Sequence, residues 1–532
     1  MFFFMKMFGL LLGIYSYGIF FLGILGILQK DILLTGSIVF WSVAAFVFSN
    51  YISIHTFLFV RDFKTGLVIT FIFLSIGINL IGALGPELSY DSLWYHLTLP
   101  KLYLQKNEIF FIPGGLLYYS AMPKLAELLY IPAVSFTNEI GAKFIHFGFG
   151  IGGIIVLYQL TRRFLSQKMS LLVIAVLVSN LVFAWEVITA YSDLMWLFYE
   201  VLAFATFFAY LQSRLKLYLI LTGVFLGFAI TTKLVAIISI PLYSLLFLYY
   251  LFPRFKNWIA SCVTLLISAL VVPLPWFIFS YINTRNPVYP FFSGYLSSYE
   301  KIDSLLDILR PGNVIENVSG LFLFSPDPVS PIYLIFFPLV FLIWKFLSTH
   351  ERLIFLYCLL VTIFLYLIPE SGGARFLLPY LPVFSLGVGI VIFKLTKDAG
   401  YKAFGAVSVA IILLVLFSTI IYRAAANTKY IPYLLGQETK SEFLTKHLEF
   451  GFSDFYDSDG YFAENIQADD MVLLFGFHNL YYVNFPFVHE SWYTGEPVTH
   501  VATQRTELPD QYLNWGLVYE NEKTRVKVYE KP

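Results

Sequence analysis

Charge is scarce in this chain of 532 residues: Asp, Glu, Lys and Arg make up only 13%, against roughly 25% in an ordinary soluble domain. The 34 basic and 34 acidic residues cancel, so the chain lacks the basic surface that a nucleic-acid partner requires. Cysteine is scarcer still. Cys262 and Cys358 both fall inside apolar runs, which argues against a disulfide framework or a thiolate metal site and reads as two small buried hydrophobes. No cleavable signal stands out, because Met1 to Leu28 carries one lysine and no small-residue cleavage site. That stretch is expected to stay as a helix. A convincing internal repeat is also missing, and with it the balanced halves expected of an alternating-access transporter.

What fills the chain is apolar: 58% hydrophobic and 19% aromatic residues, with a mean hydropathy of +0.75. Long runs recur near the ~20 residues needed to cross a bilayer core, and in lipid only helices or closed barrels satisfy their own backbone. The runs are continuous rather than alternating, which selects helices. The expected fold is an α-helical polytopic membrane protein of about thirteen spans. These lie near 8–28, 36–59, 66–84, 140–160, 170–186, 193–212, 216–232, 234–252, 258–280, 331–347, 353–368, 376–394 and 403–421. The aromatic rings are sufficiently explained as interfacial belts.

Every second connection is short and basic: Arg61 and Lys64; Arg162, Arg163 and Lys168; Arg214 and Lys216; Arg254 and Lys256; Lys345 and Arg352; Lys394, Lys397 and Lys402. With Lys6 they place the amino terminus in the cytoplasm, since Lys and Arg near span ends are retained there. The long connections, 86–139 and 281–330, and the tail then face outward. Loops of that length in a compact protein are usually functional. The chain divides into a membrane domain, 1–422, and an extracytoplasmic α/β domain, 423–532. In the tail, Lys440 to Phe450 reads as an amphipathic helix, and 471–477, LVYEN and VKVYE read as strands. The acid-rich stretch 452–470 misses the spacing of a calcium-binding EF-hand and reads as a solvated connection.

The segment PELSYDSLWYHLTLPKLYLQKNEIFFIPGGLLYYSAMPK, 86–124, gathers acids, cations and rings just beyond the third span. Asp91 is the candidate general base, since a carboxylate at the interface can take a proton from an acceptor held against a lipid-borne electrophile; the plainer reading is a cap for a helix beginning at Ser92. Tyr90, Tyr95 and His96 beside it, and Lys101 further along, are candidate substrate contacts. Asp193, at the outer end of the sixth span, is the second candidate acid, with Glu186 closing the span before it and Glu200 two turns deeper. Lys233 and Arg375 are placed to hold a carrier's phosphate, Arg through a bidentate fork and Lys as a point charge, with snorkelling to headgroups as the plain alternative.

Five stretches together resemble the polytopic glycosyltransferases of the GT-C type, particularly bacterial relatives of protein mannosyltransferases and of the lipid A aminoarabinose transferase. They are YDSLWYHLTLPKLYL (90–104), YSDLMWLF (191–198), GFAITTKLVAIISIPL (227–242), PLPWFIFSYINTRNPVYPFF (273–292) and ARFLLPYLP (374–382). The resemblance implies an inverting transfer from a polyprenyl-phosphate-linked sugar donor to a glycan, lipid or protein acceptor at the outer face of a bacterial inner membrane. Asp91 would match the family's base, Asp193 its second acid, and Lys233 and Arg375 its cations near the donor phosphate. No cofactor is required by the sequence. The loop has no paired-acid DE or DxD signature, so a divalent metal stays open. Two other classes remain: an O-antigen ligase or polymerase, expected to rely on outer Arg and His residues, and a non-enzymatic lipid-linked sugar transporter, expected to carry polar residues in mid-helix.

Overall fold

A computed structural model of the chain describes residues 2–49, 63–251, 255–292, 319, 328–366 and 374–532. Arg61, Arg254, the ends of the spans expected at 36–59, 234–252 and 353–368, and most of the second long connection (293–318 and 320–327) lie outside the described residues, as do the side chains of Lys64 and Lys256.

Helical segments stand at each expected span. In the first part of the chain these are α1 (Phe2–Ile24), α2 (Lys30–Ser49) and α3 (Phe63–Ala83). Among the described residues eight helices are long and apolar enough to cross a membrane, and a pair bent by 61°, Asn257–Val271 with Leu274–Thr284, makes a ninth when counted as one span. Two of the expected spans are interrupted for local reasons. The span at 170–186 divides at Asn180, whose side-chain amide donates to the carbonyls of Val176 (3.0 Å) and Leu177 (2.7 Å) and so competes with the helical ladder. The span at 258–280 bends where Pro273 and Pro275 remove two backbone donors.

The connection 86–139 differs from a loop laid over the membrane surface. It folds into a single π-type turn, Ser92–His96, then α4 (Thr98–Lys106), a 3-10 turn (Tyr118–Ala121) and α5 (Leu125–Phe136). Every residue of α5 from Leu125 to Pro132 is buried, because the stretch is apolar apart from Glu127, which pairs with His96, and packs back against α1, α2 and the following helix α6 (Glu139–Thr161). We call the end of the bundle that carries this segment the capped pole.

The short helices α7 (Gln167–Val178) and α8 (Leu181–Glu186) lead to the central helix α9 (Asp193–Ser213). Leu194 to Ala209 are buried without interruption, as expected of a helix apolar on all its faces. Beside it runs α10 (Lys216–Thr232), where Gly223 and Gly227, four residues apart, let α12 (Phe255–Val271) approach closely. A Cβ on Gly227 would lie 2.5 Å from the carbonyl oxygen of Ala269. Small residues at that spacing are how membrane helices gain contact where lipid gives no hydrophobic drive. Between α10 and α12 lies α11 (Ser239–Leu251), and α12 is followed by α13 (Leu274–Thr284), α14 (Ile332–Phe346), α15 (Thr349–Tyr366), α16 (Ala374–Lys397) and α17 (Lys402–Asn427).

The tail begins a little later than residue 423, since α17 runs on to Asn427. Its helix α18 (Lys440–His447) opens on a capping box in which Thr439 and Glu442 satisfy each other's backbone N–H groups. The sheet has five strands: β1 (Val472–Phe475), β2 (Phe487–His489), β3 (His500–Gln504), β4 (Gly516–Asn521) and β5 (Val526–Glu530), in the order β2-β1-β3-β5-β4. Strand β1 is parallel to its neighbours β2 and β3, and β5 is antiparallel to both β3 and β4. Of these, β2 and β3 lie in stretches with no run long enough to read as strands in the sequence. The acids of 452–470 serve turns, with Asp459 accepting from Tyr519 Oη (2.8 Å) and Asp457 from the N–H of Ala463 (2.9 Å).

The tail docks tightly on the capped pole. Lys440 Nζ pairs with the buried Glu139 Oε1 at 2.5 Å, and the Tyr481 N–H donates to Leu93 O at 3.3 Å. Gly114 meets the tail at φ +86°, where any Cβ would fall 1.7 Å from the Ser491 carbonyl oxygen. Only glycine fits there.

Candidate active site

Five ionisable side chains come together at the capped pole from five separate elements. Asp91 enters from the turn after α3, Glu186 from the end of α8, Asp193 from the first turn of α9, Lys233 from the end of α10 and Arg375 from the first turn of α16. An acid in a first turn and a lysine just past a last turn both suit the helix dipole, whereas an arginine in a first turn opposes it. Carboxylates hold Arg375 there. Its Nη1 lies 2.5 Å from Asp91 Oδ2, and its Nε lies 2.9 Å from Asp193 Oδ2 and 3.3 Å from Glu186 Oε1. Lys233 Nζ donates to the other oxygen of Asp193 at 2.7 Å. Rings flank both cations: Tyr191 lies under the guanidinium at 4.2 Å and Phe376 under the ammonium at 4.6 Å.

Exposure divides the cluster in two. Asp193 and Glu186 are fully buried, whereas Asp91, Arg375 and Lys233 each keep about a fifth of their side chain open. A ligand can therefore reach the last three. Arg375 Nη2 is buried with no hydrogen-bond partner among the described residues, and such an orphan needs an explanation in a well-packed site. Asp91 is ionised: burial opposes the charge, but the Arg375 guanidinium beside it prevails and holds the carboxyl below the usual carboxylate range. Its side chain makes no cap bond to the turn that follows, so the capping reading falls away.

A ring of buried polar groups fixes this arrangement. Glu87 accepts from the N–H groups of Leu88 (2.9 Å) and Ser89 (2.8 Å) with one oxygen and from Ala190 N–H (2.7 Å) with the other, which ties the Asp91 segment to the approach to Asp193. Lys143 Nζ reaches the carbonyls of Gly82 (2.9 Å) and Gly85 (2.7 Å), closing the end of α3. His146 faces carbonyls of Glu186 and Thr189 with Nδ1, while its Nε2 accepts the Leu194 N–H at 3.0 Å. That network assigns the neutral Nδ1–H tautomer. Glu87, Lys143 and His146 carry no signal for this role in the sequence, because their partners lie roughly 50 to 100 positions away or are backbone atoms.

Four candidate substrate contacts lie outside the ion-pair cluster. Tyr90 Oη shares a hydrogen bond of 3.0 Å with His478 Nε2 of the tail, whose ring stacks on it. Tyr95 is buried and stacks on Tyr119 at 3.9 Å. His96 Nδ1 pairs with Glu127 at 2.7 Å inside the segment. Lys101, expected near the phosphate, instead holds the tail: its Nζ donates to the carbonyls of Tyr481 (2.7 Å) and Val483. Glu200, two turns below Asp193, accepts from Ser239 Oγ (2.9 Å) and Tyr357 Oη (2.8 Å), so it is a satisfied core acid. Among the described residues no group of three or more His, Cys, Asp or Glu side chains is placed to hold a metal ion.

No protein-family model and no curated protein sequence matches the chain. Solved structures do. The chain is similar to ArnT, the lipid A aminoarabinose transferase, from Cupriavidus metallidurans in its apo state, with a TM-score of 0.55 and 14% identity over 87% of this chain and 98% of ArnT. The same enzyme bound to undecaprenyl phosphate matches with a TM-score of 0.53 and 13% identity over the same shares. The protein has the GT-C fold, helical and membrane-embedded with a small carboxyl-terminal sheet domain.

Proposed function

We propose that the chain is an inverting glycosyltransferase that moves a sugar from a polyprenyl-phosphate carrier to an acceptor at the capped pole, which faces away from the cytoplasm of a bacterial plasma membrane. One observation carries this reading. Asp91, Lys233 and Arg375, each with about a fifth of its side chain open, converge at the end of the bundle, where Asp193 holds both cations and Glu186 lies behind Arg375. The ArnT structure of the same fold with undecaprenyl phosphate supports a lipid phosphate as the donor's handle.

The residues divide the work as follows. The carrier's phosphate binds Lys233 and the unpartnered Nη2 of Arg375, which draws Arg375 away from Asp91 and frees a carboxylate oxygen. Asp91 accepts the proton of the acceptor's hydroxyl or amine. The acceptor's lone pair forms the new bond to the anomeric carbon while the bond from that carbon to the phosphate oxygen breaks. Both electrons of the broken bond leave with the phosphate, whose added charge the two cations stabilise. Attack opposite the leaving group inverts the anomeric carbon. Asp193 is closed to solvent and acts as a positioning residue for both cations.

Purified chain, a defined polyprenyl-phosphate sugar and candidate acceptors test the proposal. Asp91→Asn is expected to lower transfer by about 10²- to 10⁴-fold, the usual weight of a general base, while donor binding stays near normal. Substantial residual turnover would remove Asp91 from the role, and a product that retains the donor's anomeric configuration would sink the displacement.

A further inference from the structure

A polar cavity of about 300 Å³ opens beside the ion-pair cluster, lined in part by Tyr90, next to Asp91, and by Trp185 and Ile188, near Glu186. It lies on the capped pole where the end of the apolar helix α17, the start of the 86–139 segment and the first part of the tail meet. Ile188 and Trp185 give it an apolar flank. Beside Ser89, Tyr90, Asn427 and His447, the charged residues divide by origin. Arg423 and Lys429 come from the membrane helix and its continuation, while Glu449 and Asp454 come from the tail above.

The two sides are differently held. Arg423 is buried and donates to the amide oxygens of Asn79 (3.3 Å) and Asn427 (3.0 Å). Lys429 rests over the Tyr430 ring at 5.4 Å, and its Nζ makes no hydrogen bond or ion pair among the described residues. On the opposite side Asp454 is buried and held by the side-chain amide of Asn479, and Glu449 is exposed. Two cations on and just beyond the long apolar helix α17 and two carboxylates on the tail match a ligand with its negative charge on the side of its acyl chains and its positive charge beyond. A lipid whose phosphate carries a primary amine has that order of charge. A lipid with phosphate alone leaves the carboxylates unmatched, and a quaternary ammonium has no N–H to give them.

We propose that this cavity binds the headgroup of an amine-bearing phospholipid from the leaflet at the capped pole, with its phosphate on Arg423 and Lys429 and its ammonium between Glu449 and Asp454. The proposal rests on the membrane setting and not on sugar transfer, so the two stand or fall separately. Tyr90 also lines the cavity, which puts the bound headgroup one residue from Asp91.

The test uses the full chain, delipidated in detergent and titrated with dioctanoyl phosphatidylethanolamine, phosphatidylglycerol or phosphatidylcholine, and with soluble O-phosphoethanolamine. The thermal unfolding midpoint is the readout. Phosphatidylethanolamine is expected to raise it most and to act at the lowest concentration. Lys429→Glu is expected to weaken that response about tenfold, as for loss of a charge-assisted contact. Glu449→Lys is expected to erase the preference for phosphatidylethanolamine over phosphatidylglycerol while keeping the response to phosphatidylglycerol. Both side chains are exposed, and unliganded midpoints matching the parent chain check that the variants fold. Equal responses to the three lipids, or an unchanged response in Lys429→Glu, would overturn the site. Protection by O-phosphoethanolamine equal to that by the lipid would overturn the lipid and assign the cavity to a soluble phosphoamine.

Discussion

Arg375 meets three carboxylates with one guanidinium, and the planar fork is what makes that possible. A lysine at this position brings one point charge and cannot reach Asp91 and Asp193 from separate nitrogens. Arg375→Lys is therefore expected to fold and to lose about 10²- to 10³-fold in transfer rate, the weight of one preorganised charge donor. Arg375→Ala leaves Asp91, Glu186 and Asp193 facing Lys233 alone, and a buried charge stripped of its partner costs about 3 to 5 kcal/mol. Poor yield of that variant beside good yield of Arg375→Lys is the expected pair of results; equal rates for parent and Arg375→Lys would remove the fork from the argument. Asp91, Asp193, Lys233 and Arg375 were legible in the sequence because a charge beside or inside an apolar run is rare enough to demand a reason. Lys101 was misplaced because a lysine in a polar segment says nothing of its partner, and its acceptors are carbonyls some 380 positions away.

Asp454 gives a second prediction at this scale, through pH. Burial raises its carboxyl to about 6, so between about pH 4 and pH 6 the folded chain keeps a proton that the unfolded chain has lost. The stability it contributes is full below pH 4 and declines as pH rises through 6. The thermal midpoint of the parent chain, measured relative to that of Asp454→Asn, is expected to fall across that window. A flat difference would mean that Asp454 is ionised throughout.

At the scale of elements, the spans were readable because continuous apolar runs of bilayer length have one solution in lipid. Breaks were less so. Asn180 splits its helix through bonds to its own turn, and a single polar residue in an apolar run does not reveal whether it faces a partner or its backbone. The 86–139 segment stands out in the sequence by its length and its charges, but its fold depends on α5 packing back among α1, α2 and α6, which no local pattern states. The clamp between α4 and the tail gives a prediction of its own. Lys101→Met removes the donor that the carbonyls of Tyr481 and Val483 share, a loss of about 1 to 3 kcal/mol for partly buried acceptors. Limited proteolysis is expected to cut faster within 477–500 while the membrane helices stay protected. Unchanged cutting would show that the Glu139–Lys440 pair and the Gly114 contact hold the tail unaided.

For the molecule as a whole, the tail belongs to the site even though its residues make none of the ion pairs. His478 stacks on Tyr90 and lies 4.4 Å from the Trp94 ring, and the Tyr481 N–H is bonded to Leu93 O, so both ends of the short turn that presents Asp91 are braced from the tail. Lys440 also neutralises Glu139, a buried acid at the start of α6. A chain that ends at Gly436 keeps α1 to α17 and with them Asp193, Lys233 and Arg375, but loses that brace. It is expected to insert into membranes and to bind a polyprenyl phosphate within about tenfold of the full chain, since the two cations remain. Transfer is expected to fall much further, because a base displaced by about 1 Å loses roughly 10²-fold. His478→Ala in the full chain separates the brace from the bulk of the domain, and a lowered kcat with little change in donor KM is the expected signature. Near-full turnover by the shortened chain would reduce the tail to a lid and leave the geometry at Asp91 to the membrane helices alone.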